Sequence, residues 1–454
     1  MRRETRGTQC NRREFLKRGG AMAAGASALG GFLPSGVFAS DDNTIRLALI
    51  GCGGRGSGAV GDALSVADEG PIKLWAMADL DKDRMTKAHD ALKESFADKV
   101  DVAEDRRFAG FDAYRRAIDI LRPGDIAMCT TRPYIRPLHV EYAVKKGVNV
   151  FMEKSFASDP AGVKRMLRAG EEAEKKGVKV LAGLQCRHSP ARAALIEKIR
   201  AGEMGEIHTI RANRWGGARW LKANEDGAND LLGQLRLGKT HIFWVGSGQM
   251  VDNLIHQVDE CCWIKDAWPV SVEGLSGRVA GSQDAGQNLD IYSMEYTFAD
   301  GTKAFCGFRR MEKCRAEFAT FVHGTKCAAQ FSGMTHAATV QMFKDQRIGK
   351  EHVSWTPERD KFSPWQYEWN NFIRSIRKDR PHNEVKRACY SDLATLMGRA
   401  ACHTGQVVTW DEIMASEFQF CDYLDTLSYD SPPPVRPGED GRFPVPVPGK
   451  WKEV

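Results

Sequence analysis

The sequence has no C-x-x-C pair, no zinc-knuckle spacing and no regular cysteine period, although it holds 12 cysteines in 454 residues. That excludes a thioredoxin-like redox motif and a tetrahedral cysteine metal centre. Cys261 and Cys262 are adjacent, which suits neither an easy disulfide nor shared ligation. The cysteines read as small buried hydrophobes, and no metal site is expected. Charge of one sign is also scarce. The net charge is +6, but residues 1–39 hold seven Lys/Arg and two Asp/Glu, which leaves the remainder near +1. A nucleic acid or an anionic membrane surface therefore has little to hold. No segment approaches ~20 uninterrupted apolar residues, so no membrane span is expected. There is no internal repeat, which excludes a solenoid.

What is present begins with Asn11-Arg12-Arg13-Glu14-Phe15-Leu16-Lys17, a twin-arginine signature. A Gly/Ala-rich apolar stretch follows, and Val37-Phe38-Ala39 is a small-residue cleavage site. Residues 1–39 therefore read as a bacterial export signal. The mature chain is expected to begin near Ser40 and to be periplasmic and soluble. Twin-arginine export carries folded proteins, which suits an enzyme loaded with a tightly held cofactor.

The rest of the chain is organised around Thr44–Gly56, TIRLALIGCGGRG. An apolar run reads as a buried strand that breaks into a glycine turn and then a helix. Gly51, Gly53 and Gly56 match G-x-G-x-x-G. The first permits the turn, the second lets a pyrophosphate approach, and the third lets helix pack on strand. Ile72–Ala78 reads as the next strand. It ends in Asp79, twenty-three residues beyond Gly56, where a dinucleotide fold places the carboxylate for the adenosine ribose. Two unit charges about 4 Å apart at a surface repel by on the order of 4 kcal/mol, so Asp79 favours NAD over NADP. Arg55 and Arg84 keep NADP open. Strand and helix then alternate through Asp125–Thr130, a helix containing His139, and Val148–Met152, which implies a parallel sheet.

The motif G-x-G-G-R-G, the aspartate after the second strand, Thr130-Thr131-Arg132-Pro133 with His139, and then Glu153-Lys154 resemble the Gfo/Idh/MocA family, named for glucose–fructose oxidoreductase and inositol dehydrogenase. The resemblance runs from about Thr44 to about Gln406. It implies an α/β protein with an N-terminal Rossmann domain, residues 44–157. An α+β domain with a large, mostly antiparallel open sheet would follow, residues 158–430, and then a proline-rich tail, residues 431–454. It also implies binding of the NAD(P) cofactor by Gly51, Gly53, Gly54, Arg55, Gly56, Asp79, Thr130, Thr131, Pro133, His139, Glu153 and Lys154. There are two departures. Ser155 stands where the family has proline, and Tyr134 stands where it often has asparagine.

In the second half, Gly246–Trp263 is the informative stretch. Val251, Ile255, Val258 and Cys262 make an apolar helical stripe. Asp252 and His256 are four apart and share a face, so a carboxylate is one turn from an imidazole. The family carries its acid–base residues in D-x-x-x-H-x-x-D here. The resemblance thus marks Lys154, His256 and Asp252 as catalytic, with Asp259 as structural. Arg187, in a turn at the domain junction, and Trp215, beside Arg214, are further expected substrate contacts, with Asp252 and His256. Between Val270 and Phe343 alternating runs predict antiparallel strands, which in the family also form the oligomer interface.

The reading is an exported NAD(P)-dependent oxidoreductase that moves hydride between a nicotinamide and a sugar or polyol, and that self-associates. Two rivals stand beside it. One is an NAD-using glycosidase acting by transient oxidation and elimination, and the other is a non-catalytic nucleotide- or sugar-binding protein. Lys154 argues against the first, because the family 109 glycosidases tend to lack that lysine. Intact Lys154, Asp252 and His256 argue against the second.

Overall fold

The computed structural model describes residues 43–67, 69–223, 229–333 and 339–454. The expected export signal lies outside them. Two sheets organise the described residues. The first contains β1 (Ile45–Ile50), β2 (Ile72–Asp79), β3 (Arg107–Ala109), β4 (Ile126–Cys129), β5 (Asn149–Met152) and β6 (Val180–Ala182). All pairs are parallel and the order is β3-β2-β1-β4-β5-β6, the doubly wound arrangement expected of a dinucleotide fold. Its strands read as near-continuous apolar runs because helices cover both faces. Leu47, Ala48, Leu49, Met128 and Phe151 are fully buried.

The second sheet contains β7 (Ile207–Gly216), β8 (Ser271–Gly277), β9 (Ile291–Thr297), β10 (Lys303–Arg310), β11 (Glu317–Gly324), β12 (Ala328–Ser332), β13 (Gln341–Phe343), β14 (Val353–Trp355) and β15 (Val408–Thr409). Its order is β14-β13-β12-β11-β7-β10-β9-β8-β15. Every pairing is antiparallel except β7 with β10. The alternation seen in sequence follows from this one-sided burial. In β9, Tyr292, Met294 and Tyr296 point into the core while Ile291 and Ser293 face outward.

Two features depart from the order of the sequence. The first sheet does not stop at residue 157, because β6 is its sixth strand and the helix Pro160–Lys176 is the crossover that reaches it. The late helix Pro364–Arg377 also returns to it. Trp369, Phe372, Ile373 and Ile376 share a core with Ile45, Leu47, Leu49 and Ala59. The helices Gln249–Lys265 and Val385–Thr404 pack on the inner face of the second sheet, in a core continuous with the other face of the first. The tail is extended but anchored. Phe443 is buried, and Glu453 accepts hydrogen bonds from Arg399 and Trp451 and pairs with His403. The cysteines are packing residues, since ten of the eleven described are buried and Cys314 alone is exposed. Among the described residues no helix is long and apolar enough to cross a membrane.

Candidate active site

The carboxyl end of β1 enters the glycine turn at Gly51, whose φ of +98° is open to glycine and strained for other residues. A Cβ there would lie 2.7 Å from the Thr131 nitrogen. A Cβ on Gly56 would overlap the Gly51 oxygen and lie 2.6 Å from Thr130 Oγ1. Those two glycines let strand, turn and the Thr130-Thr131 loop close on one another. Gly53 and Gly54 differ. A Cβ on either meets nothing within 4 Å, so their backbone faces open space at the start of the helix Gly54–Leu64. Free N–H groups at a helix start suit phosphate oxygens.

Asp79 closes β2 and is fixed there. Its Oδ2 accepts the Cys52 N–H at 2.6 Å, its Oδ1 accepts the Asp81 N–H at 2.9 Å, and Arg84 pairs with it at 3.6 Å. The N-cap of the following helix is Asp81, not Asp79. Asp79, Leu80, Tyr114, Thr131, Tyr134 and His139 line a small cleft. His139 stacks on Tyr114 with ring centroids 4.2 Å apart, and its Nδ1 meets Thr131 Oγ1 at 3.1 Å. Burial, with Arg136 adding to it, pushes its imidazole down to about 3, so the ring is neutral. Arg55 turns from the turn and pairs with Glu153 at 2.9 Å and with Asp62 at 3.0 Å.

β5 delivers Glu153-Lys154-Ser155, with a cis peptide between Lys154 and Ser155. The segment beyond is stitched to the start of the helix Gln249–Lys265. Ser158 Oγ donates to the Trp244 carbonyl and Ser247 Oγ to the Ala157 carbonyl, both at 2.9 Å. Arg399 donates to the carbonyls of both Ser158 and Ser247. This fixes Lys154 relative to Asp252. The Lys154 ammonium donates to Asp252 Oδ1 at 2.8 Å and to the Asp252 carbonyl. Burial would raise the Asp252 carboxyl, but Lys154 and then Arg132 and Arg136 outweigh it and hold the group below its usual range.

Lys154, Asp252 and His256 line one cavity of about 300 Å³ with Thr130, Thr131, Pro133 and Glu153. His256 is 5% exposed. Two expected substrate contacts, Arg187 and Trp215, are not among the residues that line this cavity. Arg187 is committed to Asp259, with Nε to Oδ2 and Nη2 to Oδ1 both at 2.9 Å, and it stacks on Trp263. Asp259 is further held by Ser391. Trp215 sits on the face of β7 opposite Arg214. Alternate residues of a strand point to opposite sides. Arg214 lines the cavity, so Trp215 points outward, beneath Arg309. The cavity also includes Arg132, Arg136, Asn253 and Trp365. Arg132 and Asn253 adjoin residues already marked in sequence, whereas Trp365 comes from a distant helix with no local signal. Among the described residues no group of His, Cys, Asp and Glu is placed to share a metal ion.

No known family profile matches the chain. Solved structures match its fold over most of their length. Aldose–aldose oxidoreductase from Caulobacter crescentus, solved with glycerol, shares 16% identity over 81% of this chain and 99% of its own, with a TM-score of 0.61. Scyllo-inositol dehydrogenase from Lactobacillus casei, solved with NAD(H) and scyllo-inositol, shares 18% over 81% and 99%, with a TM-score of 0.59. The WlbA dehydrogenase from Bordetella pertussis, solved with NADH and UDP-GlcNAcA, shares 16% over 81% and 98%, with a TM-score of 0.60. At these identities the likeness is one of fold, that of NAD-dependent sugar and inositol oxidoreductases.

Proposed function

We propose that this chain is an NAD(P)-dependent oxidoreductase acting on a CH–OH group of a sugar or polyol. The observation that carries the reading is one cavity in which the carboxyl ends of the first sheet, with Thr130, Thr131 and Lys154, face Asp252 and His256 of the helix Gln249–Lys265. The fold neighbours that hold nicotinamide cofactors and a polyol or nucleotide sugar support it.

The residues fit a dinucleotide. The open backbone at Gly53 and Gly54 would take the pyrophosphate, and Asp79 the ribose hydroxyls. Thr130, Thr131, Pro133, Glu153 and Lys154 would line the nicotinamide side, and His139, in the cleft with Asp79, the adenosine side. Arg84 stands at Asp79 and keeps a 2′-phosphate acceptable, whereas Arg55 is engaged elsewhere. When bound, the cofactor supplies a hydride acceptor. The chain supplies the rest. His256 takes the hydroxyl proton at an imidazole nitrogen. Lys154 donates to the same oxygen as charge develops on it. Asp252 holds the Lys154 ammonium in place. Positioned acid–base help contributes ~10²–10⁴ in rate.

Export through the twin-arginine route belongs to the same proposal, and N-terminal sequencing of exported protein should begin near Ser40. Self-association is supported by exposed Leu275, Ile291 and Phe305 on one face of β8, β9 and β10. The decisive experiment uses purified protein with any retained cofactor, incubated with free sugars and with p-nitrophenyl glycosides. Accumulation of reduced cofactor with a free sugar supports the reading. Aglycone release without added NAD overturns it in favour of the hydrolase. Lys154→Ala and His256→Ala should each lower kcat at least a hundredfold with NAD binding retained. Full turnover in both would remove the site assignment.

A further inference from the structure

The cavity is over-supplied with cations. Arg55, Arg132, Arg136, Lys154 and Arg214 line it, against the carboxylates of Glu153 and Asp252. Arg55 is matched by Glu153 and Lys154 by Asp252. Arg136 is buried and donates from Nε to the Cys129 carbonyl and from Nη2 to the Thr131 carbonyl. Arg132 and Arg214 have no ion pair among the described residues. Behind them stands Arg310, from the strand paired with β7, two residues beyond the position opposite Arg214. It donates from Nη2 to Asn253 Oδ1 at 2.8 Å, and its buried Nε has no partner among the described residues. Burial, with Arg219 and Arg214 nearby, pushes its guanidinium down to about 10. Asn253 lines the cavity next to Asp252.

Two of these cations, Arg214 and Arg310, are not accounted for by a dinucleotide. The amides suited to its pyrophosphate begin the helix at Gly54, in the layer of the first sheet. Arg214 and Arg310 arise from the second sheet, on the side of Asp252 and Asn253. Asp252 is the carboxylate that Arg132, Arg214 and Arg310 share, and Lys154 already engages it, so a neutral sugar would leave Arg214 and Arg310 close together and short of counter-charge. A guanidinium presents parallel N–H donors that match a carboxylate or a phosphate. We propose that the substrate of this cavity is an anionic sugar, whose carboxylate or phosphate is held by Arg214 and Arg310, with Arg132 at the opposite wall. This rests on the reading above, that the cavity holds the sugar.

The test compares matched compounds on the holoprotein: glucuronate, glucose 6-phosphate and glucose, then galacturonate and galactose. Thermal shift and calorimetry read binding, and cofactor reduction reads turnover. At least one anionic sugar should bind tenfold or more tightly than its neutral counterpart, with the gap narrowing as salt rises. Which anion does so distinguishes carboxylate from phosphate. In Arg214→Ala and Arg310→Gln the ratio of affinities for the anionic and neutral members should fall towards one, which a general loss of fold would not produce. Equal or tighter binding of the neutral sugars, or no binding of any anionic sugar, overturns the proposal. Turnover of neutral sugars alone does so while leaving the oxidoreductase reading intact.

Discussion

A single carboxyl, Asp392, ties the segment beyond Lys154 to the pH of the solution. It is fully buried, and its Oδ2 accepts the N–H groups of Phe156 at 2.9 Å and Ala157 at 2.8 Å. Burial outweighs those bonds and pushes the group from 3.8 up to about 7. The folded chain therefore holds this proton more tightly than the unfolded chain. Its contribution is full below about pH 4 and is lost as pH rises through about 7, on the order of 4 kcal/mol in all. Asp252 runs the other way. Its carboxyl is lowered, so its contribution is present above the ordinary carboxylate range and lost as acid protonates it. Asp392→Asn should flatten the fall in stability between pH 4 and pH 8, read as urea midpoints. An unchanged slope would show that the proton sits elsewhere. Residues of the site differed in how far they could be read. Asp252 and His256 fall within one helical turn and share a motif, so spacing alone brought them together. Asp392 meets Ala157 across 235 residues, and nothing local marks it. The pairing of Arg187 with Asp259 was not legible, because the two are 72 residues apart.

At the scale of the element, the glycine turn separates two kinds of glycine. Gly51 and Gly56 are required by the protein's own packing, whereas Gly53 faces open space. Gly53→Ala should therefore keep its melting temperature within about 2 °C, because nothing in the chain opposes the methyl. It should nevertheless weaken dinucleotide binding tenfold or more. Gly56→Ala should lose both, since its methyl meets backbone. Melting curves and calorimetric NAD titration on the same samples separate the two cases. A Gly53→Ala protein that binds NAD normally would move the pyrophosphate away from this turn. The strands and helices of this half were legible because parallel strands buried on both faces are short apolar runs punctuated by turns. The second sheet was legible where strands are long, as in β9 to β11. The strands β12 to β15 are short, at two to five residues, and too brief to show a period. Arg214 and Trp215 were not separable in sequence, because neighbours on a strand point to opposite faces and only the fold shows that Arg214 is the one lining the cavity.

Across the whole molecule, contacts distant in sequence hold the site together. Arg399 joins Glu453 of the tail to the carbonyls of Ser158 and Ser247, one shortly after Lys154 in the chain and one shortly before Asp252. The pair is buried, and removing one member strands the other, which typically costs ~3–5 kcal/mol. Glu453→Ala should lower the melting temperature by several degrees and reduce kcat more than it raises KM, because Lys154 and Asp252 lose their common anchor. A variant with wild-type melting and turnover would show that the tail is dispensable. The return of the Pro364–Arg377 helix to the first sheet carries a different consequence. The two halves are not interchangeable cassettes. A chimera that grafts a foreign second half after residue 157 discards Trp369, Phe372 and Ile373, and with them the cover over Ile45 and Leu47. An exchange of the second half would have to carry that late helix along with the parallel sheet it roofs.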